Sequence, residues 1–293
     1  MGLSMIDIHS HILPGLDDGA QDIYDTLEMV SLAAESGISA MVATPHCNIP
    51  GGYKNYFSDK YVEAIQSVRD AVHRENLPVN ILPGVEVFAQ ENVVRLLQEG
   101  KIMTLNQSKY LLMEFAFHED PAFVKHIVKK VQELGVIPVI AHAERYEFAQ
   151  QEPNLIYELR KQGFPIQVNK GSFQGKFGNR AMQLAFEFLN HNLVSVVASD
   201  AHSPYQRTPY MAEVYEELLE HYPKNYLDMI FSENPRRICE NEPILGFSAR
   251  RIEEKYGKRF FLLPFHKRDN RYYHCSSRNP ALLEGICADR NCN

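Results

Sequence analysis

The chain has 293 residues, 45% of them hydrophobic and 23% charged, with a formal net charge of −7. That balance excludes a disordered or fibrous protein, and the length suits a single α/β domain of ~250 residues. No apolar run approaches the ~18 residues of a membrane-spanning helix. The first ten residues lack the basic start and apolar stretch of a secretory signal, so a cytoplasmic location is expected.

The charge is unevenly spread. Residues 246–293 hold ten of the 30 Lys/Arg and five of the 37 Asp/Glu, which leaves twenty against thirty-two, a net −12, in residues 1–245. An acidic body argues against a nuclease or other nucleic-acid partner. If such a body handles an anionic substrate it needs a local source of positive charge, which metal ions would supply. The five cysteines, Cys47, Cys239, Cys275, Cys287 and Cys292, are odd in number and irregularly spaced, which is not a disulfide framework.

In chain order, short β-branched segments alternate with longer amphipathic ones. A strand is predicted over 4–9, then a helix over 22–36 with Ile23, Leu27, Val30 and Ala34 near helical spacing and Gly37 at its stop. Further strands are predicted over 40–43, 80–87, 110–115, 137–141, 165–168 and 194–198. The helices between and after them fall at 59–75, 91–98, 121–134, 154–162, 178–191 and 209–221. Seven strand-then-helix units imply a parallel sheet, and periodicity alone leaves open whether it is doubly wound or closed. The loop 48–58, rich in Gly, Pro and aromatics, is long enough to suggest a functional role. Residues 246–293 break the pattern. They read as a basic appendage to a domain spanning 1–245, with a basic helix over 250–259, and as disordered or an artefact of the reading frame.

The ligand-type residues fall at strand ends. The first strand runs into Asp7-Ile-His9-Ser-His11, the second ends at Thr44-Pro-His46, the third at Gly84-Val-Glu86 and the fourth at Glu114. The fifth ends at His142-Ala-Glu-Arg145 and the seventh at Asp200-Ala-His202. A parallel sheet gathers all strand C-termini at one face, where barrel enzymes place their sites. The two-residue spacing in His9-x-His11 and Asp200-x-His202 puts each pair on one side of its strand end. Imidazole with carboxylate suits Zn, Mn or Fe. The set exceeds the three protein ligands of one catalytic zinc, so a cluster with bridging carboxylates is expected. Asp17 and Asp18 follow a Pro14-Gly15 turn; a turn or capping role suits both, and Asp18 is the candidate for the cluster. Arg145 and Arg207 carry guanidinium forks suited to phosphate oxygens. His73, His118, His126, His191 and His221 lie in or beside helical segments, and His266 and His274 in the tail; none is assigned to the site.

The string Asp7-Ile-His9-Ser-His11-Ile-Leu-Pro-Gly-Leu-Asp17-Asp18-Gly19 resembles the opening of a polymerase-and-histidinol-phosphatase (PHP) domain. The later strand-end motifs match that superfamily in order. Leu16-Asp-Asp-Gly19, Ala143-Glu-Arg-Tyr146, Gln167-Val-Asn169 and Phe231-Ser-Glu-Asn-Pro-Arg236 are similar to the bacterial PHP-type protein-tyrosine phosphatases of capsular and exopolysaccharide systems. The resemblance spans residues 5 to about 245. It implies a distorted (β/α)7 TIM-like barrel and two or three divalent metals, often manganese. It also implies hydrolysis of phosphotyrosine in a bacterial tyrosine kinase and that kinase's substrates. On it, His9, His11, Asp18, His46, Glu86, Glu114, His142, Asp200 and His202 take the ligand positions, with Arg145 and Arg207 at the substrate phosphate. Water activated by the metals would attack phosphorus directly. Asp200 or His202 could assist the leaving group, although a metal-bound group is a compromised acid.

The same motifs admit a phosphatase of histidinol phosphate or another small phosphomonoester, and, in another class, a non-catalytic metal-binding regulatory module. A cysteine phosphatase needs Cys-x5-Arg. The sixth residues after Cys47, Cys239, Cys275 and Cys287 are Tyr53, Leu245, Ala281 and Asn293, so that chemistry is excluded.

Overall fold

A computed structural model describes residues 4–253. Nine short strands, β1 (Met5–Ser10), β2 (Ile38–Ala43), β3 (His46–Cys47), β4 (Asn80–Pro83), β5 (Glu86–Phe88), β6 (Tyr110–Glu114), β7 (Ile137–Ile140), β8 (Gln167–Asn169) and β9 (Val196–Ala198), all pair in parallel. Hydrogen bonding divides them into β1-β2-β4, β3-β5-β6-β7 and β8-β9. Single bridges, Ile140 to Ile166 and Ser10 to Ala201, join the β8-β9 pair to the other two sheets without a continuous ladder closing around them. β3 continues β2 past Pro45, and β5 continues β4 past Gly84, so nine segments make seven barrel positions. The result is a distorted (β/α)7 barrel whose ladder is interrupted, as the seven predicted units imply.

The strand predicted over 80–87 is the clearest departure from the sequence reading, because it breaks at Gly84-Val85. The hydroxyl of Tyr61, from the helix Asp59–Arg74, plugs the break. It accepts from Gly84 N and donates to Gly84 O, both at 2.8 Å. A Cβ on Gly84 would lie 2.7 Å from Val42 Cγ1, so the two kinked strand pairs approach as closely as they do only because glycine is there. The break turns β5 so that Glu86 faces the barrel mouth.

The barrel core is apolar and continuous. Ile8, Val42, Leu112, Val139 and Val196, from five different strands, meet in one buried cluster with Ile238 and Cys239. The helices start where their caps dictate: Asp22 accepts from Tyr24 N and Asp25 N, Ser58 from Tyr61 N, and Asp120 from Ala122 N ahead of Pro121.

Other boundaries also shift. The sixth strand lies at Gln167–Asn169 rather than 165–168, since Pro165 has no N–H to give a ladder. The helix predicted over 209–221 is confined to Ala212–Leu219. It is not the last of the described chain. Lys224–Asp228, a π-helical turn Met229–Glu233 and Asn234–Cys239 follow. There buried Asn234 donates to Ser195 O and Leu245 O and accepts from Leu245 N, tying this segment to the base of β9. Residues 246–253 run along the barrel surface, where Ile252 exchanges hydrogen bonds with Asn154 and Arg250 N donates to His191 O. Arg250–Glu253 carry no helix; the rest of the helix predicted over 250–259, and the tail beyond it, lie outside the described residues. Among the described residues no helix is long and apolar enough to cross a membrane.

Candidate metal centre

The nine predicted ligands converge at the C-terminal mouth of the strands. Glu86, buried at the start of β5, is at the middle. Its Oε1 lies 3.2 Å from His9 Nε2 and 3.0 Å from His142 Nε2, and its Oε2 lies 3.4 Å from His11 Nε2 and 3.0 Å from His46 Nδ1. Four imidazoles therefore surround one carboxylate. Glu114, at the end of β6, stands 3.5 Å from both His46 Nδ1 and His142 Nε2. Asp200 Oδ1 is 3.4 Å from His9 Nε2 and 3.6 Å from His11 Nε2. Asp18, exposed on its turn, is 3.4 Å from His46 and 3.6 Å from His202.

Three overlapping groups have ligand atoms close enough to share an ion: His11, Asp18, His46 and His202; His9, His11 and Glu86; and His46, Glu86 and Glu114. His11, His46 and Glu86 each belong to two groups, the arrangement a cluster with shared ligands needs. Atoms each ~2.1 Å from one ion at tetrahedral or octahedral angles stand roughly 3–3.5 Å apart, which matches the spacings here. His46 Nδ1 and Glu86 Oε2 are buried, face each other at 3.0 Å, and make no aligned hydrogen bond. Buried polar atoms left in that state call for a partner such as an ion. The donor set, imidazole nitrogen with carboxylate oxygen, fits a borderline divalent metal.

The electrostatics agree. Burial disfavours charge on His11, but Asp17 and Glu86 outweigh it and raise its pKa well above the ordinary value. Burial likewise opposes charge on His142, yet Glu114 and Glu86 push its pKa up to about 9. Burial would raise Glu86, but the surrounding histidines, His9 foremost, hold it well below the usual carboxylate range. Asp200 is held low in the same way by His9 and Arg207. Without metal, His11, His46 and His142 thus all favour the protonated form beside these carboxylates. His202 is the exception: burial, then the charge of His11, pull it down to about 2, so it is neutral and free to donate its lone pair.

Supporting residues fix the candidate ligands. His11 Nδ1 lies 2.7 Å from Asp17 Oδ2, an oxygen that also accepts from His46 N, while Asp17 Oδ1 accepts from Gly19 N. Asp17 is therefore more than the turn residue the sequence suggested. It orients one candidate ligand and the backbone of another. His9 Nδ1 faces Gln167 Oε1 at 3.1 Å, and Gln167 in turn donates to Asn169, which donates to Asp200 Oδ2 at 2.6 Å. Asp7, buried beneath His9, accepts from Ser199 N and Ser199 Oγ. The sequence reading gave these residues no role. A signal existed for Asp7, which precedes His9 at the two-residue spacing. Gln167 and Asn169 could be found only as a motif. His142 and Asp200 sit at left-handed φ of 31° and 51°, a strained placement for non-glycine residues that accumulates at functional sites.

The outer face carries the arginines. Arg207 Nη2 is 2.5 Å and Arg145 Nη1 3.4 Å from Asp200 Oδ2, and buried Arg207 Nε has no partner. Tyr53, from the loop 48–58, stacks on His46 with ring planes 11° apart. Of the histidines set aside, His118 pairs with Glu147 in solvent and His191 with its own helix. Cys47 and Cys239 are buried with thiols pushed up to about 12, so neither supplies a thiolate.

Residues 5–240 match the family described as capsular polysaccharide synthesis, CpsB/CapC. The chain belongs to that family. Among CpsB/CapC relatives, tyrosine-protein phosphatase YwqE of Bacillus subtilis is 35% identical over 240 residues, 82% of this chain and 93% of its own. Tyrosine-protein phosphatase CpsB of Streptococcus pneumoniae is 31% identical over 245 residues, 82% of this chain and all of that one. A chain from the crystal structures of YwqE and CpsB, described as unique metal-dependent tyrosine phosphatases, superposes with a TM-score of 0.79 at 34% identity. It covers 85% of this chain and 100% of that one. The phosphotriesterase of Mycobacterium tuberculosis, at 12% identity and a TM-score of 0.53, shares the fold.

Proposed function

We propose that this CpsB/CapC chain is a metal-dependent protein-tyrosine phosphatase, and that its natural substrates are a bacterial tyrosine kinase and that kinase's targets. The observation that carries the reading is the four-histidine shell around Glu86 with a pair of arginines on the outer oxygen of Asp200. The activity of the relatives named above supports it. His9, His11, Asp18, His46, Glu86, Glu114, His142, Asp200 and His202 would hold two or three divalent ions, manganese foremost with iron or zinc as substitutes. A cytoplasmic location accords with a kinase target.

When bound, the ions supply Lewis-acid charge to the phosphoryl oxygens and lower the pKa of water so that hydroxide is available near neutral pH. The chain's own residues do the rest. Arg145 and Arg207 exchange their hold on Asp200 for the outer phosphate oxygens, with Arg207 Nε adding a donor that is otherwise unspent. Asp200, held ionised, accepts rather than gives protons. His202, neutral, has no proton to spare as an imidazolium. Neither is needed as an acid, because a tyrosine oxygen of pKa ~10 leaves more easily than an alkoxide. Asn169 and Gln167 keep Asp200 and His9 in place while the arginines move.

The test is turnover of phosphotyrosine, phosphoserine and histidinol phosphate side by side on the manganese-loaded protein. Preference for the phosphotyrosine peptide supports the reading; preference for histidinol phosphate transfers the same site to a small phosphomonoester and refutes it.

A further inference from the structure

The Arg145 guanidinium lies against two aromatic rings. Its Cζ lies 4.6 Å from the centre of the Phe117 ring and 4.3 Å from that of Phe177, and the same Phe177 ring lies 5.7 Å from the Cζ of Arg207. Phe177 thus lies within cation–π range of both cations of the pair, and both reach one oxygen of Asp200. Two guanidinium groups sharing one half of a carboxylate repel each other, and a single oxygen cannot fix the planes of both. An aromatic face can, because its negative quadrupole attracts a flat cation stacked on it. The sequence makes room for the ring. A Cβ on Gly171 would stand 3.0 Å from Phe177 Cε2, and Gly178, next in the chain, takes a φ of +90° that few side chains allow. Phe117 reaches the same place from the end of β6, its ring 6.0 Å from that of His142 and 38% exposed.

We propose that Phe177, with Phe117 also against Arg145, is a positioning residue that presents Arg145 and Arg207 together to the substrate phosphate. The inference rests on the phosphate role given above to the two arginines. Neither ring touches the reacting atoms. They reduce the freedom the guanidinium groups lose when phosphate arrives, and so act on binding rather than on the chemical step.

The test uses the full chain as Phe177→Leu, which keeps apolar volume and removes the π face, and as Phe177→Tyr, which keeps the ring. Inorganic phosphate is the probe, its binding measured by calorimetry on manganese-loaded protein. Phe177→Leu is expected to weaken phosphate about tenfold, the equivalent of ~1.4 kcal/mol, with bound metal unchanged. For peptide turnover, KM rises by a similar factor while kcat stays within about twofold. Phe177→Tyr is expected to retain wild-type affinity. Wild-type affinity in Phe177→Leu, or equal losses in the two variants, overturns the proposal. A second readout needs neither folding of a variant nor metal: in the unmutated protein the side-chain Nε–H signals of Arg145 and Arg207 should both carry ring-current shifts, and their absence overturns it as well. If the wild type binds phosphate but turns over no phosphotyrosine, the proposed function fails while the positioning role of Phe177 is still judged by phosphate binding. If the wild type binds no phosphate, both fail.

Discussion

Asp200 and Arg207 meet with Nη2 2.5 Å from Oδ2, on the edge of a carboxylate whose other oxygen looks at His9 and His11. One side chain thereby joins the face where metals would sit to the face where phosphate would arrive. It does so from a left-handed φ of 51°, which aspartate tolerates better than most residues. Asp200→Ala should therefore empty the metal centre and loosen both arginines, and His9→Ala should empty it alone. Each is expected to lose metal and to lower turnover about 10²-fold or more, several kcal/mol of barrier. Metal analysis beside turnover on each variant checks this, and full activity in either would be the wrong result for the assignment.

Asp17 holds His11 by its Nδ1 and takes the backbone N–H of His46. Asp17→Asn keeps the shape and removes the charge that raises His11. Metal affinity should fall about 10–100-fold, the usual cost of losing a partner behind a metal ligand, with the fold intact. Competition with a chelator of known affinity measures it; unchanged affinity would mean that Asp17 only shapes the turn.

How much of this was legible in the sequence depends on what kind of order each feature has. The site was legible because every candidate ligand but Asp18, which sits on a turn, falls in or just beyond a strand, and a parallel barrel brings the strand ends to one face. The seven units were legible for the same reason, through alternating periodicity. The break in the 80–87 segment was not, because Ile81, Leu82, Val85 and Val87 read as one apolar run, and only the distant Tyr61 hydroxyl shows where the ladder stops. Asp17 and Asp18 look alike in sequence; burial and a 2.7 Å contact separate them, and both are tertiary facts. Phe177 had no signal at all, since an aromatic in a glycine-flanked turn reads as loop until the arginines are seen against it.

The Tyr61 plug gives a stability prediction. Tyr61→Phe leaves Gly84 N–H and C=O without their partner in a buried strand break, at a cost of about 1–3 kcal/mol. Thermal unfolding of the metal-free protein should drop by several degrees, and Glu86 displaced with β5 should weaken metal binding as well. An unchanged midpoint would show that the break is held by packing alone.

The pH dependence follows from His142. Its folded pKa, about 9, exceeds the ordinary 6.5, so its pairing with Glu114 and Glu86 stabilises the metal-free fold fully below pH 6.5. That contribution is lost as pH rises through about 9. A metal must displace this proton, so metal stabilisation runs the other way and grows as pH rises. The gap in melting temperature between metal-loaded and metal-free protein should widen from pH 6 to 9. Scanning both forms across that range checks it, and a gap that narrows would contradict the site's electrostatics.

Stripping the protein with chelator and restoring Mn²⁺ in steps, while following hydrolysis of a phosphotyrosine peptide, tests the metal dependence directly. Turnover should be negligible without metal and should rise with bound manganese until the two or three positions fill. Hydrolysis that persists in fully stripped protein, or that never appears in the loaded one, would contradict it.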